Sequence, residues 1–73
     1  MRLRLVIEGM LSVHAKRAVF TALAGVHGVH HADVEIGGAM LDTDASVREN
    51  DLRATIESLG LRVASMTKEL PVL

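Results

Sequence analysis

The chain has 73 residues, enough for one domain. It contains no Cys, so disulfides, thiolate-bound zinc and iron–sulfur centres are excluded. A single aromatic residue and a formal net charge of −1 supply neither the stacking platform nor the basic footprint of a nucleic-acid binder.

Leu3, Leu5 and Ile7 alternate with Arg2, Arg4 and Glu8, the period-two pattern of a half-buried strand that Gly9 ends. Val6 breaks the alternation mildly. The stretch Val13 to Ala24 reads as a helix, with Ala15, Val19, Ala22, Leu23 and Val26 along one face. Ser12 is its natural N-cap, because a hydroxyl can accept an otherwise unpaired N–H of the first turn. Gly25 and Gly28 mark the exit, and Lys16 and Arg17 fall on the solvent side.

Val29 to Ile36 is the second strand, with Val34 and Ile36 inward and Asp33 and Glu35 outward. Gly37-Gly38 is a two-residue hairpin signal, since such turns need positive φ. It predicts Ile36 opposite Ala39 and Val34 opposite Leu41. After the polar link Asp42 to Ser46, a second helix is predicted over Arg48 to Leu59, with Val47, Leu52, Ile56 and Leu59 as its apolar side. Ser46 and Glu49 have capping-box spacing, and Asn50 is a rival cap. Gly60 ends the helix. Leu61 and Val63 open a last strand, and Pro71 ends regular pairing.

Strand, helix, strand, strand, helix, strand gives an α+β fold. Its simplest packing is a ferredoxin-like βαββαβ sandwich, an antiparallel four-stranded sheet with two helices on one face. Residues 1–66 form the expected domain. Residues 67–73 are expected to be a tail, loose or borrowing a sheet edge. Without disulfides, a domain that buries only ~60% of its unfolded surface must rest on aliphatic packing. No run of ~18 apolar residues is present to span a bilayer. Met1-Arg2-Leu3-Arg4 lacks the apolar core of a signal peptide. A cytoplasmic location is the resulting expectation.

The segment Ile7-Glu8-Gly9-Met10 resembles the end of the first strand in heavy-metal-associated domains, the copper chaperones and N-terminal modules of metal-transporting ATPases. Val19 and Leu23 match the family's first helix. Gly28-Val29 matches the opening of its second strand. Leu52, Ile56 and Gly60 match the Leu-x-x-x-Ile-x-x-x-Gly of its second helix. The resemblance runs from Leu3 to Val63. The family's fold is the ferredoxin-like one, and its members carry Cu(I) on a Cys-x-x-Cys loop.

This chain departs from the family at that loop, which reads Ser12-Val13-His14-Ala15. Soft Cu(I) prefers thiolate; a Ser hydroxyl is hard and stays protonated, and Ala15 has no donor atom. Leu61 stands where many bacterial members carry an aromatic residue beside the loop. The degenerate loop positions are therefore Ser12 and Ala15, and the family's copper-carrying activity does not transfer.

His14 is the candidate metal ligand left in the loop, although family members with His there do not usually use it. His27, His30 and His31 form a short histidine tract, in which His31 and Asp33 share a strand face and supply half a site. Imidazole would favour Zn, Ni or Cu(II), bound weakly. Met10 corresponds to a family residue that packs as core beneath the loop.

Phe20 lies off the buried stripe of the first helix, along one side with Val13. Leu11 and Leu61 extend this patch into a candidate partner surface. Ser12 and His14 lack an orienting group and oxyanion donors, which leaves no basis for catalysis.

The leading expectation is a non-catalytic module that meets another protein, or a copy of itself, through the loop and first helix. Family members dock on one another through that region. No nucleic acid, membrane or resident cofactor is expected. One alternative is a histidine-based metal-binding protein. Another is a small-molecule regulatory domain of the amino-acid-sensing type, to which Gly9-Met10-Leu11-Ser12 bears a faint likeness.

Overall fold

The alternating apolar positions build the sheet, and the helical stripes cover one side of it. The computed structural model describes residues 1–69. The elements are β1 (Arg2–Glu8), α1 (Val13–Ala24), β2 (Val29–Glu35), β3 (Gly38–Thr43), α2 (Glu49–Glu57) and β4 (Arg62–Glu69). The strands form one antiparallel sheet in the order β2-β3-β1-β4. This is the predicted ferredoxin-like topology, with β1 central and paired on both sides.

Leu3, Leu5 and Ile7 point from β1 into the core. Ala32, Val34, Ala39, Leu41 and Val63 join them from the other strands. Val19 and Leu23 from α1, and Leu52 and Ile56 from α2, close the core from above. Both helices pack on this face of the sheet. The opposite face is open. It carries Arg2, Arg4, Val6 and Glu8 from the exposed positions of β1.

Three sequence expectations are corrected. The hairpin turn is Ile36-Gly37, because Glu35 pairs with Gly38, Val34 with Ala39 and Ala32 with Leu41. The register therefore differs by two residues from the predicted one, which leaves the paired strand residues on their expected faces. Ile36, expected inward, sits in the turn and is 55% exposed. Gly37 supplies the positive φ of 91° that the turn needs.

The capping box of α2 does not form. Arg48 is the N-cap and gives no side-chain hydrogen bond. Ser46 instead donates its amide (2.8 Å) and its hydroxyl to one carboxylate oxygen of Asp44. Acidic Glu49 and Asp51 in the first turn still complement the positive end of the helix. The helix ends at Glu57, two residues before the predicted Leu59, which is exposed.

The last strand is longer than expected. Thr67, Lys68 and Glu69, expected in a tail that is loose or borrows a sheet edge, pair along β1 with Arg4, Leu3 and Arg2. A bulge places Ala64 as an extra residue between Val63 opposite Ile7 and Ser65 opposite Val6. The Pro71 expectation lies outside the described residues.

Candidate functional site

The β1–α1 loop is set by three local features. Gly9 leaves β1 with a φ of 91°, a conformation open to glycine. Met10 then drops its side chain into the core, 1% exposed beneath the loop. Ser12 adopts an extended backbone, and its hydroxyl oxygen accepts the amide N–H of Ala15 at 3.1 Å. The predicted N-cap and the start of α1 at Val13 are thus both realised.

These features decide what the loop can hold. The Met10 thioether is in the core and not on the loop surface. Ser12 Oγ is engaged with the first turn of α1. Ala15 contributes a methyl group. This donor set does not fit a soft monovalent metal, which the thiolates of a Cys-x-x-Cys loop would hold.

What the loop does present is apolar surface. Leu11 is 85% exposed and Val13 66% exposed on either side of Ser12. Phe20, 48% exposed, lies two turns along α1 from Val13. Val13, Lys16, Arg17, Phe20 and Val34 line one shallow depression. The sequence-predicted patch is therefore contiguous at Val13 and Phe20. Leu61 behaves differently: it is half-buried, packs against the core, and lies 3.2 Å from where a Cβ on Gly9 would stand.

Two cations cross the patch, and sequence reasoning treated them only as a solvated face. Lys16 Nζ lies 3.7 Å from the Glu35 carboxylate. Arg17 has no ion-pair partner among the described residues. The first turn of α1 contains no acidic residue. The i, i+3 and i, i+4 spacing from Lys16 and Arg17 to Phe20 was the signal for this arrangement.

The histidines are dispersed. His14 lies in a shallow groove with Arg17, Ala18 and Leu59. His30 is the extra residue where the β2–β3 register shifts, and its Nε2 is 3.3 Å from Asp44 Oδ2. The Asp44 carboxyl is held below its ordinary value, chiefly by the Ser46 hydroxyl, then by the Ser46 amide, with His30 adding a smaller effect. His31 stands opposite Asp42, and Asp33 stands opposite Met40. Among the described residues no group of three or more His, Cys, Asp or Glu side chains converges as a metal site would require.

A two-layer domain of this topology is a small ferredoxin-like domain, with an exposed loop at the β1–α1 junction. No sequence-family model matches the chain, and no curated protein does. Solved structures match it over most of its length. A CopZ metallochaperone is 34% identical, with 88% of this chain and 100% of that one covered and a TM-score of 0.82. A putative copper-ion-binding protein from Bacillus anthracis str. Ames is 30% identical over 86% of this chain and 93% of that one, at a TM-score of 0.81. The copper-binding domain from HMA7, a P-type ATPase, is 28% identical over 90% and 97%, at 0.77. The chain belongs to the heavy-metal-associated domain family. These structures carry the names of a metallochaperone, a putative copper-ion-binding protein and a copper-binding domain, while this chain's 73 residues contain no cysteine.

No helix among the described residues is long and apolar enough to cross a membrane.

Proposed function

We propose that this domain is a non-catalytic protein-contact module of the heavy-metal-associated family, working without the metal its relatives bind. One observation carries the reading. The Ser12 hydroxyl caps α1, and its neighbours Leu11 and Val13 hold apolar side chains 85% and 66% exposed. Exposed apolar surface at a domain's working end serves association. The positive φ of Gly9, the buried Met10 side chain and the Ser12 cap set the shape of the loop for such contact. Leu11, Val13 and Phe20 form the contact surface, with Leu61 supporting the loop from beneath.

The test is a titration of tag-free protein with Cu(I), Zn(II) and Ni(II), followed by backbone amide shifts. Cu(I) at stoichiometric amounts is expected to leave residues Met10 to Ala15 unmoved. Saturable shifts confined to His14, or to His27 through Asp33, at low micromolar metal would overturn the reading in favour of a histidine-based Zn, Ni or Cu(II) site.

A further inference from the structure

The open face of the sheet has a gap in it. Across this face Val6, Gly38 and Glu35 form one row, and Arg4, Met40 and Asp33 form the next. Gly38 leaves the middle of its row without a side chain. None fits there, because a Cβ would stand 2.8 Å from the Leu5 carbonyl oxygen. The result is a depression of about 380 Å³ whose walls include Val6, Ile36, Met40, Asp33 and Glu35. Its rim is acidic at Asp33 and Glu35 and, apart from Arg4, apolar elsewhere. Arg4 also lines it, but the Arg4 guanidinium is paired with Glu69 at 2.8 Å.

On the helix layer, α1 presents the complement. Phe20 is the chain's only aromatic ring and is half exposed, with Val13 along the same side and Lys16 and Arg17 between them. A symmetric contact between two α1 surfaces would bring Lys16 and Arg17 of both copies together with no acid on α1 to pair with them, whereas the sheet face offers Asp33 and Glu35.

We infer that the occupant of the Gly38 depression is α1 of a second copy of this chain, with Phe20 seated over Gly38 and Lys16 and Arg17 against Asp33 and Glu35. The contact gives the open sheet face the second helix layer that it lacks in the monomer. The donor patch and the acceptor patch are different surfaces that meet only at the β2 edge, where Lys16 reaches Glu35, so the contact is head-to-tail, and it propagates as a ring or an open chain. The Lys16–Glu35 pair within one chain is exposed and exchanges for the intermolecular one at little cost. The inference rests on the proposed function in that it names the partner of the α1 surface.

The test is sedimentation equilibrium of the full tag-free chain from micromolar to millimolar concentration, with amide shifts recorded across the same range. Self-association is expected, with concentration-dependent shifts at both Val13–Thr21 and Asp33–Met40 and weakening in added salt. K16E/R17E and D33K/E35K change exposed side chains, and circular dichroism confirms that both variants fold. Each alone is expected to associate about tenfold more weakly or worse. An equimolar mixture of the two recovers association, because the reversed α1 of one variant meets the reversed sheet of the other. F20A is expected to weaken association at unchanged charge. A monomer at millimolar concentration overturns the inference, and so does association that both charge reversals leave intact. The proposed function fails separately, through the metal titration, and a monomeric chain that ignores Cu(I) retains it with a different partner.

Discussion

Ser12 shows how one atom changes the chemistry of a loop. As an oxygen it accepts the Ala15 N–H and fixes the start of α1. S12A removes that acceptor and is expected to cost about 1 kcal/mol, read as a lower urea midpoint. S12C/A15C is expected to restore Cu(I) binding, because the two positions bracket the first turn of α1 on a backbone the family shares. Competition against a Cu(I) chelator measures it, and a double variant no better than the parent would show that the loop has lost more than its sulfurs. Asp44 makes a second expectation at this scale. Its folded-state pKa lies below the ordinary value, so its contribution is present above about pH 4 and is lost as pH falls through the folded value. D44N is expected to flatten the acid limb of the stability profile, measured by urea midpoints from neutral pH downward.

Among the elements, α1 was legible because its signals do not compete: Ser12 can cap only one helix, and Gly25 closes it. The start of α2 was misread because Ser46 had a closer partner in Asp44, and spacing alone cannot rank a side-chain acceptor two residues back against a helix three residues ahead. The hairpin was displaced because Gly37 alone provides the positive φ, which left Gly38 free to enter β3. The site was legible in part. Leu11, Val13 and Phe20 were placed correctly on the surface, whereas the basic stripe and the Gly38 depression depend on register across strands. Gly28 and Gly37 separate two roles of glycine. At Gly37 a Cβ meets nothing within 4 Å, so G37A is expected to cost about 1 kcal/mol for its φ alone. At Gly28 a Cβ would lie 3.0 Å from Asp44 Oδ1 and 3.1 Å from Val47 Cβ, so G28A is expected to cost about 1–3 kcal/mol more. Thermal or urea unfolding of the pair checks the difference.

For the whole molecule, the core is small and aliphatic, and each member counts. Leu52 is fully buried between α2 and the sheet, so L52A is expected to lose about 2–5 kcal/mol, much of the stability available to a domain of this size. F20A is expected to cost about 1 kcal/mol, since only half of its ring is buried, which separates surface from core. Urea denaturation of the two variants side by side tests that contrast.

The central place of β1 also sets a schedule. Of the four strands it is synthesised first, yet its neighbours are β3 and β4, and the pair Arg2↔Glu69 spans nearly the whole described chain. Until Arg62–Glu69 has been synthesised, one edge of β1 has no partner. Ordering must therefore wait for the slowest loop closures in the topology. A nascent chain stalled in α2 would present Leu3, Leu5 and Ile7 on an open strand, the form most prone to aggregate and most attractive to a chaperone.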